Sequence, residues 1–133
     1  MLQLNKAGGN YVINFDRLNE ALKQLKIDGK ISLDIGTACP VAPITVKGYG
    51  EHALKRAVSR GIKEKHLITT AQAYVDNAMV MFEQGDKDRR LYISHDGNVV
   101  IMIDSGYVAT IYTSDNFDPG MLMIIREVER CKF

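Results

Sequence analysis

Tryptophan is absent from this 133-residue sequence, and cysteine and histidine are scarce. The two cysteines, Cys39 and Cys131, lie far apart, so they form either one disulfide or two unpaired thiols. Neither has metal-type spacing, there is no Cys-x-x-Cys or His-Glu-x-x-His motif, and the three histidines are scattered. The residues therefore indicate no metal site and no cofactor.

Long hydrophobic runs and an excess of one charge are also missing. No apolar stretch approaches the roughly 18 residues that a membrane span needs. The N-terminus has no signal-peptide pattern, so we expect any export to depend on something else. Lys and Arg total 17 against 16 Asp and Glu, a formal charge of +1. A nucleic-acid site would therefore have to be a local basic patch.

Composition and length are those of one globular domain. Apolar residues make up 46% and charged residues 25% of the chain. A chain of 133 residues can form a hydrophobic core without the help of disulfide bonds or a structural metal ion. We predict a single domain over residues 1–133. Within it, residues 1–46 are expected to form an N-terminal lobe or a wrap around a core formed by residues 47–133, because 45 or so residues are too few for a core of their own.

The N-terminal part gives mixed local signals. Asp16 is a good N-cap for a helix over residues 17–26. Pro40 and Pro43 interrupt any regular strand and indicate a loop from Gly36 to Pro43. The remaining segments are interpreted as a loose lead-in (1–10) and two short strands (11–15 and 31–35).

The rest of the chain predicts an α+β fold. The apolar pattern from Lys63 to about Gln84 indicates one helix, or a helix followed by a strand at Ala78–Phe82. Three strands joined by tight turns follow, over 89–94, 99–104 and 107–113, and Asp118-Pro119 begins a C-terminal helix. We expect N-terminal helices packed on a small antiparallel sheet.

The stretch from Gly50 to Ile62 predicts a two-faced helix. One side is apolar, and His52, Arg56 and Arg60 recur at i, i+4 and i+8 on the other, beside Lys55. An imidazole can move a proton near neutral pH, and a guanidinium can grip a phosphate with two hydrogen bonds. These are the two requirements of phosphodiester cleavage, although a solvated surface helix would show the same pattern.

A second set of candidates lies in the last predicted strand. Thr110 and Tyr112 are two residues apart, so their side chains share one face, whereas Thr113 shares the other face with Ile111. If the Thr110 face lies against the His52 helix, a hydroxyl, a phenol, an imidazole and two guanidinium groups converge. Thr and Tyr are also good strand formers, so they need have no further role.

These residues together resemble a known superfamily. The match consists of His52-Ala53, Arg56 and Arg60-Gly61-Ile62, followed by Val108, Thr110 and Tyr112 in the meander. It is similar to the barnase/EndoU/colicin/RelE-like ribonucleases, and more narrowly to the C-terminal toxin domains of polymorphic and contact-dependent growth inhibition effectors of bacteria. The resemblance covers about residues 50–113.

The resemblance implies metal-independent cleavage of RNA, often transfer RNA, by attack of the ribose 2′-OH on the adjacent phosphate. His52 would be the general base or acid, and Arg56 would stabilise the charge on the phosphorane. Thr110 would bond a phosphate oxygen or orient His52, and Tyr112 would protonate the leaving oxygen or stack on a base. The implied substrate-binding residues are Arg60, Lys55 and Tyr49, the last of which could instead only fix the helix entrance.

The toxin class also implies a partner and a location. The partner is a cognate immunity protein, acidic where it covers the His52 face. The toxin would be delivered from outside as part of a larger effector and act in the cytoplasm of the target cell. Two alternatives remain open: a module that binds RNA or protein without cleaving it, and a toxin–antitoxin component that cuts messenger RNA in its own cell.

Overall fold

The computed structural model describes residues 2–5, 11–31, 35–85 and 88–133. These ranges form an α+β fold, as predicted. The strands are β1 (Leu2–Asn5), β2 (Tyr11–Asn14), β3 (Thr37–Cys39), β4 (Gly48–Tyr49), β5 (Ala78–Glu83), β6 (Arg89–Ser94), β7 (Val99–Asp104) and β8 (Tyr107–Thr113). The α-helices are α1 (Phe15–Ile27), α2 (Glu51–Ser59), α3 (Leu67–Asp76) and α4 (Pro119–Arg130).

The described strands form one main sheet and one separate hairpin. The sheet has six strands in the order β3-β5-β6-β7-β8-β4, and β1 pairs with β2. The predicted meander β6-β7-β8 is confirmed, with the expected bounds. The sheet is mixed rather than purely antiparallel, because the short β4 pairs in parallel with the start of β8.

Helices cover both faces of the sheet. On one face, α1 and α4 pack over a cluster that includes Leu18, Phe82, Ile93 and Ile124. On the other, α2 and α3 pack over a cluster that includes Ala57, Ala71, Val75, Tyr92, Ile101 and Ile111. Cys131 belongs to the first cluster, Cys39 packs against the second, and both are free thiols. Of the two alternatives for the cysteines, the structure therefore shows two unpaired thiols.

The N-terminal part differs most from expectation. Residues 2–5 form β1 rather than a loose lead-in, while residues 6–10 lie outside the described ranges. Helix α1 begins at Phe15, because the Asn14 side chain, not Asp16, caps it by accepting from the Arg17 N–H at 3.1 Å. The predicted helix over Lys63–Gln84 is α3 followed by β5, which is the second alternative.

The proline-containing loop contains an edge strand. β3 pairs with Met81–Glu83 of β5 and stops immediately before Pro40, whose ring nitrogen cannot donate to a ladder. The strand predicted at 31–35 lies partly outside the described residues, since 32–34 are not among them. The described part of residues 1–46 thus supplies α1, one of the two helices on one face, and β3, one edge strand of the main sheet.

Two side-chain amides form the backbone hydrogen bonds that a neighbouring strand would otherwise form. Asn19 Nδ2 donates to the Ala38 carbonyl at 3.0 Å, and the Ala38 N–H donates to Asn19 Oδ1 at 2.8 Å. Gln72 does the same for the segment before β4, accepting from the Val46 N–H and donating to the Ile44 carbonyl, both at 2.8 Å. Each amide satisfies one donor and one acceptor of an otherwise unpaired backbone.

Replacing Asn19 with alanine is expected to lower the free energy of unfolding by about 1–3 kcal/mol, because Ala38 loses both partners at the outer edge of β3. Urea unfolding followed by circular dichroism measures the change. The control is Lys23→Ala, an exposed position one turn later in α1, for which we expect a change within about 0.5 kcal/mol. Equal losses in the two variants would contradict a closing role for Asn19.

Candidate functional site

Helix α2 lies along the outer edge of β8. It begins where β4 ends: the N–H of its N-cap, Gly50, donates to the Val108 carbonyl at 2.8 Å. It is held again at its far end, where Arg60 Nη1 donates to the Ile111 carbonyl at 2.6 Å. β4 pairs only with Tyr107 and Val108. Beyond Val108, the edge of β8 is therefore covered by α2.

Small side chains allow the close approach of α2 to the sheet. Ala53 and Ala57 are fully buried in the cluster that contains Ile111. His52, Lys55 and Arg56 are exposed, and Arg60 is half-buried. The helix is therefore amphipathic, as predicted, and its polar ridge His52-Arg56-Arg60 runs parallel to the sheet edge.

The two arginines of this ridge converge on Tyr112. The guanidinium carbon of Arg56 lies 5.2 Å from the centre of the Tyr112 ring, and that of Arg60 lies 5.8 Å from it. Both distances are within the range of cation–π attraction, which favours a fixed position of the guanidinium over the ring. The structure thus brings together three of the residues that the sequence singled out.

A β-bulge decides which way Thr110 and Tyr112 face. Met102 pairs with Thr110 and Ile103 with Val108, so Ala109 is an extra residue in β8. Val108 and Ile111 point into the cluster under α2 and α3, and Thr110 and Tyr112 point to the opposite face. The condition that the Thr110 face lies against the His52 helix is therefore not met: α2 packs on the Ile111 face, and its arginines reach Tyr112 around the edge.

The opposite face holds a cavity of about 210 Å³. Its apolar wall comes from the sheet, α4 and the connecting segments and consists of Ile35, Leu91, Val100, Met102, Phe117 and Met121. Its polar wall consists of Gln84, Thr110, Tyr112, Asn116 and Asp118. Thr110 is therefore a cavity residue, and Tyr112 forms the boundary between the cavity and the arginine ridge.

His52 occupies the first turn of α2, four residues before Arg56 on the same ridge. Side chains at this spacing are neighbours, with Cβ atoms about 5–6 Å apart. In the described part of the chain, no hydrogen bond or ion pair holds the His52 imidazole.

The two arginines differ in how strongly the fold engages them. Arg60 donates to the Ile111 carbonyl, and its charge also acts on Asp115. The Thr113 hydroxyl, and to a lesser extent the Arg60 charge, hold the pKa of the Asp115 carboxyl below its ordinary value. Arg56 is exposed and forms no ion pair among the described residues. Arg60 therefore acts as a brace, which here means that it fixes the end of α2 to β8 through the Ile111 carbonyl. Arg56 is the cation that remains available to an anion.

Lys55 and Tyr49 stand apart from this arrangement. Lys55 Nζ lies 3.8 Å from Glu51 on the solvent side of α2, with both side chains largely exposed. The Tyr49 hydroxyl donates to the Leu67 carbonyl at 2.9 Å, which ties β4 to the start of α3. Burial, with a smaller contribution from Tyr74, raises the pKa of Tyr49 to about 12. Tyr49 thus makes a structural contact, but with the start of α3 and not with the entrance of α2.

Arg60→Ala is expected to lower the free energy of unfolding by about 1.5–3 kcal/mol, because it removes a charged donor from the Ile111 carbonyl. Arg56→Ala loses only the contact with Tyr112 and is expected to cost about 0.5–1 kcal/mol. Thermal and urea unfolding of the two variants provide the comparison. A larger loss for Arg56→Ala would overturn the assignment of Arg60 as the brace.

Sequence reasoning missed the segment that follows β8. Asp115 and Asn116 lie in a short 3₁₀ turn, and Asn116 lines the cavity next to Phe117. The signal was the polar run Ser114-Asp115-Asn116 directly after a strand that carries two candidates. Within the described ranges there is no group of three or more His, Cys, Asp or Glu side chains that could hold a metal ion. No helix there is long and apolar enough to cross a membrane.

Comparison with known proteins returns no match of this chain to a protein-family model, a curated protein or a solved structure. The resemblance to the ribonuclease superfamily therefore rests on the residues quoted for it.

Proposed function

We propose that this domain binds RNA at the edge of β8 and cleaves it without a metal ion, as a bacterial toxin of the polymorphic class. The observation that carries the proposal is the convergence of Arg56 and Arg60 on Tyr112, with His52 one turn away on the same ridge. A guanidinium, a phenol and an imidazole on one edge form a set that recognises a phosphate and can transfer a proton beside it.

The proposed reaction is transphosphorylation at one phosphodiester. His52 takes the proton of the ribose 2′-OH, the 2′ oxygen bonds to phosphorus, and the bond from phosphorus to the 5′ oxygen breaks. The products are a 2′,3′-cyclic phosphate and a 5′-hydroxyl, the latter protonated by Tyr112 or by water. DNA lacks the attacking hydroxyl and is not a substrate.

Arg56 carries the electrostatic part of this mechanism. Its exposed guanidinium is held over Tyr112 but has no carboxylate partner among the described residues, so it can turn its donors toward a phosphorane. Arg60 keeps the ring and the helix end in place through the Ile111 carbonyl. Thr110 lines the cavity, so we assign it to contacts with the substrate beyond the scissile phosphate.

The proposal includes an immunity protein that binds the ridge of His52, Arg56 and Arg60. An immunity protein that covers the ridge must meet cations at positions 52–60, so an acidic face is expected. Delivery as part of a larger effector, with action in the cytoplasm of the target cell and transfer RNA as the target, belongs to the same proposal and comes from the resemblance.

The test is incubation of the protein with total bacterial RNA in excess EDTA, followed by a denaturing gel and analysis of the fragment ends. We expect discrete fragments that end in a 2′,3′-cyclic phosphate, and no cleavage of an oligonucleotide with a single 2′-deoxyribose at the mapped site. Intact RNA in the presence of folded protein, or cleavage that EDTA abolishes, would contradict the proposal.

A second candidate function is RNA binding without cleavage. The observation in its favour is that no described group orients the His52 imidazole, whereas general bases are commonly held by a hydrogen bond to a third residue. On this alternative the ridge would retain RNA in a salt-dependent manner with no new fragment ends. A filter-binding titration beside the cleavage assay separates the two functions.

A further inference from the structure

The cavity behind Tyr112 has no role in the proposed chemistry, yet it shares a wall with the arginine ridge. Both guanidinium groups lie over the Tyr112 ring, and the same residue also lines the cavity. A ligand in the cavity would therefore be separated from an anion held by Arg56 only by the Tyr112 side chain. The phosphate and the base of one nucleotide are also close to each other, so a single nucleotide could occupy both positions.

We propose that this cavity binds the base of the nucleotide whose phosphate Arg56 holds, and that it determines which base is accepted. The proposal rests on the RNA-binding function proposed above. The volume of about 210 Å³ is below the roughly 300–1,000 Å³ of pockets for drug-sized ligands, so it suits a single planar group. Phe117 and Tyr112 supply aromatic surface against which a base can stack.

The polar wall indicates which bases fit. The Asn116 amide, whose Nδ2 also donates to Thr113 Oγ1 at 3.3 Å, presents a donor and an acceptor side by side, the pattern that adenine matches with its amino group and ring nitrogen. The Asp118 carboxylate is an acceptor only, and it already accepts from the Met121 N–H at 2.8 Å. Acceptors of this kind favour bases with an exocyclic amino group, so we expect adenine to be preferred over uracil.

The experiment is a titration of the whole ¹⁵N-labelled protein with adenosine 3′-monophosphate, uridine 3′-monophosphate and inorganic phosphate, followed by NMR. Phosphate should shift amide signals of α2 alone. Adenosine 3′-monophosphate should also shift those of Thr110, Asn116 and Phe117, and should bind more tightly than the uridine compound. The Asn116→Ala variant should lower that preference by about fivefold or more, whereas Asn98→Ala, an exposed asparagine in the β6–β7 turn, should leave it unchanged.

Shifts confined to α2 with both nucleotides, or equal affinities that Asn116→Ala does not alter, would overturn the assignment of the cavity. Because binding is measured without turnover, these outcomes are independent of cleavage. A protein that cuts RNA but shows no cavity response retains the proposed function and loses this inference. A protein that shows the cavity response but cuts no RNA keeps the base site and loses the catalytic proposal.

Discussion

Replacing His52 with alanine is expected to slow RNA cleavage by about 10²- to 10⁴-fold, the range that a positioned general acid or base contributes. The loss should fall on the rate of the chemical step, with RNA affinity nearly unchanged, since the neighbouring cations remain. His52 is exposed in the first turn of α2, and alanine is a better helix former, so stability should stay within about 0.5 kcal/mol of wild type. Single-turnover cleavage of an end-labelled RNA measures the effect.

His66→Ala is the matched control for this experiment. His66 is also exposed, but it is the N-cap residue of α3 and does not belong to the ridge formed by His52, Arg56 and Arg60. We expect its cleavage rate to equal that of wild type. If His52→Ala cleaves at the wild-type rate, or if the two variants lose activity equally, the role proposed for His52 is wrong.

Arg56→Ala is expected to reduce the rate of cleavage by about 10²- to 10³-fold, comparable to the loss of one preorganised donor to a developing oxyanion. Arg56→Lys should restore only part of this rate, because an ammonium keeps the charge but not the two-pronged geometry or the stacking on Tyr112. The binding-only alternative predicts a different result for both variants: weaker RNA retention with a smaller dependence on salt, and no cleavage to lose.

Lys55→Ala is the control for Arg56. It removes the adjacent cation of the same helix, whose charge is already paired with Glu51 on the solvent side. A surface ion pair of this kind contributes little, so the variant should bind and cleave RNA like wild type. Equal losses at Lys55 and Arg56 would indicate that only the net charge of α2 matters, and would contradict the specific contact proposed for Arg56.

Local sequence signals were sufficient wherever the chain obeys a simple period. The β6-β7-β8 meander was predictable because Asp-Gly and Ser-Gly turns separate runs of β-branched residues, and α4 begins at Asp118-Pro119 as expected. The ridge of His52, Arg56 and Arg60 followed from helical spacing alone. In each case the deciding interactions lie within a few residues of one another.

The arrangement of the site was not predictable in the same way. Ala109 carries no sequence signal of a bulge, yet it reverses the facing of Thr110 and Tyr112 relative to Val108. Likewise, Asn19 and Gln72 read as ordinary helix residues, although their amides bond backbone 19 and 26–28 residues away. These features depend on contacts distant in sequence, which no local pattern encodes.

The closed edges of the sheet restrict how another protein can dock. Asn19 occupies the backbone groups of Ala38 at one border, and β4 and then Arg60 occupy those of β8 at the other. An inhibitor that tried to add its own strand would first have to displace these groups. The immunity protein proposed above is therefore expected to bind through side chains at the surface around Arg56, and not through a sheet shared between the two chains.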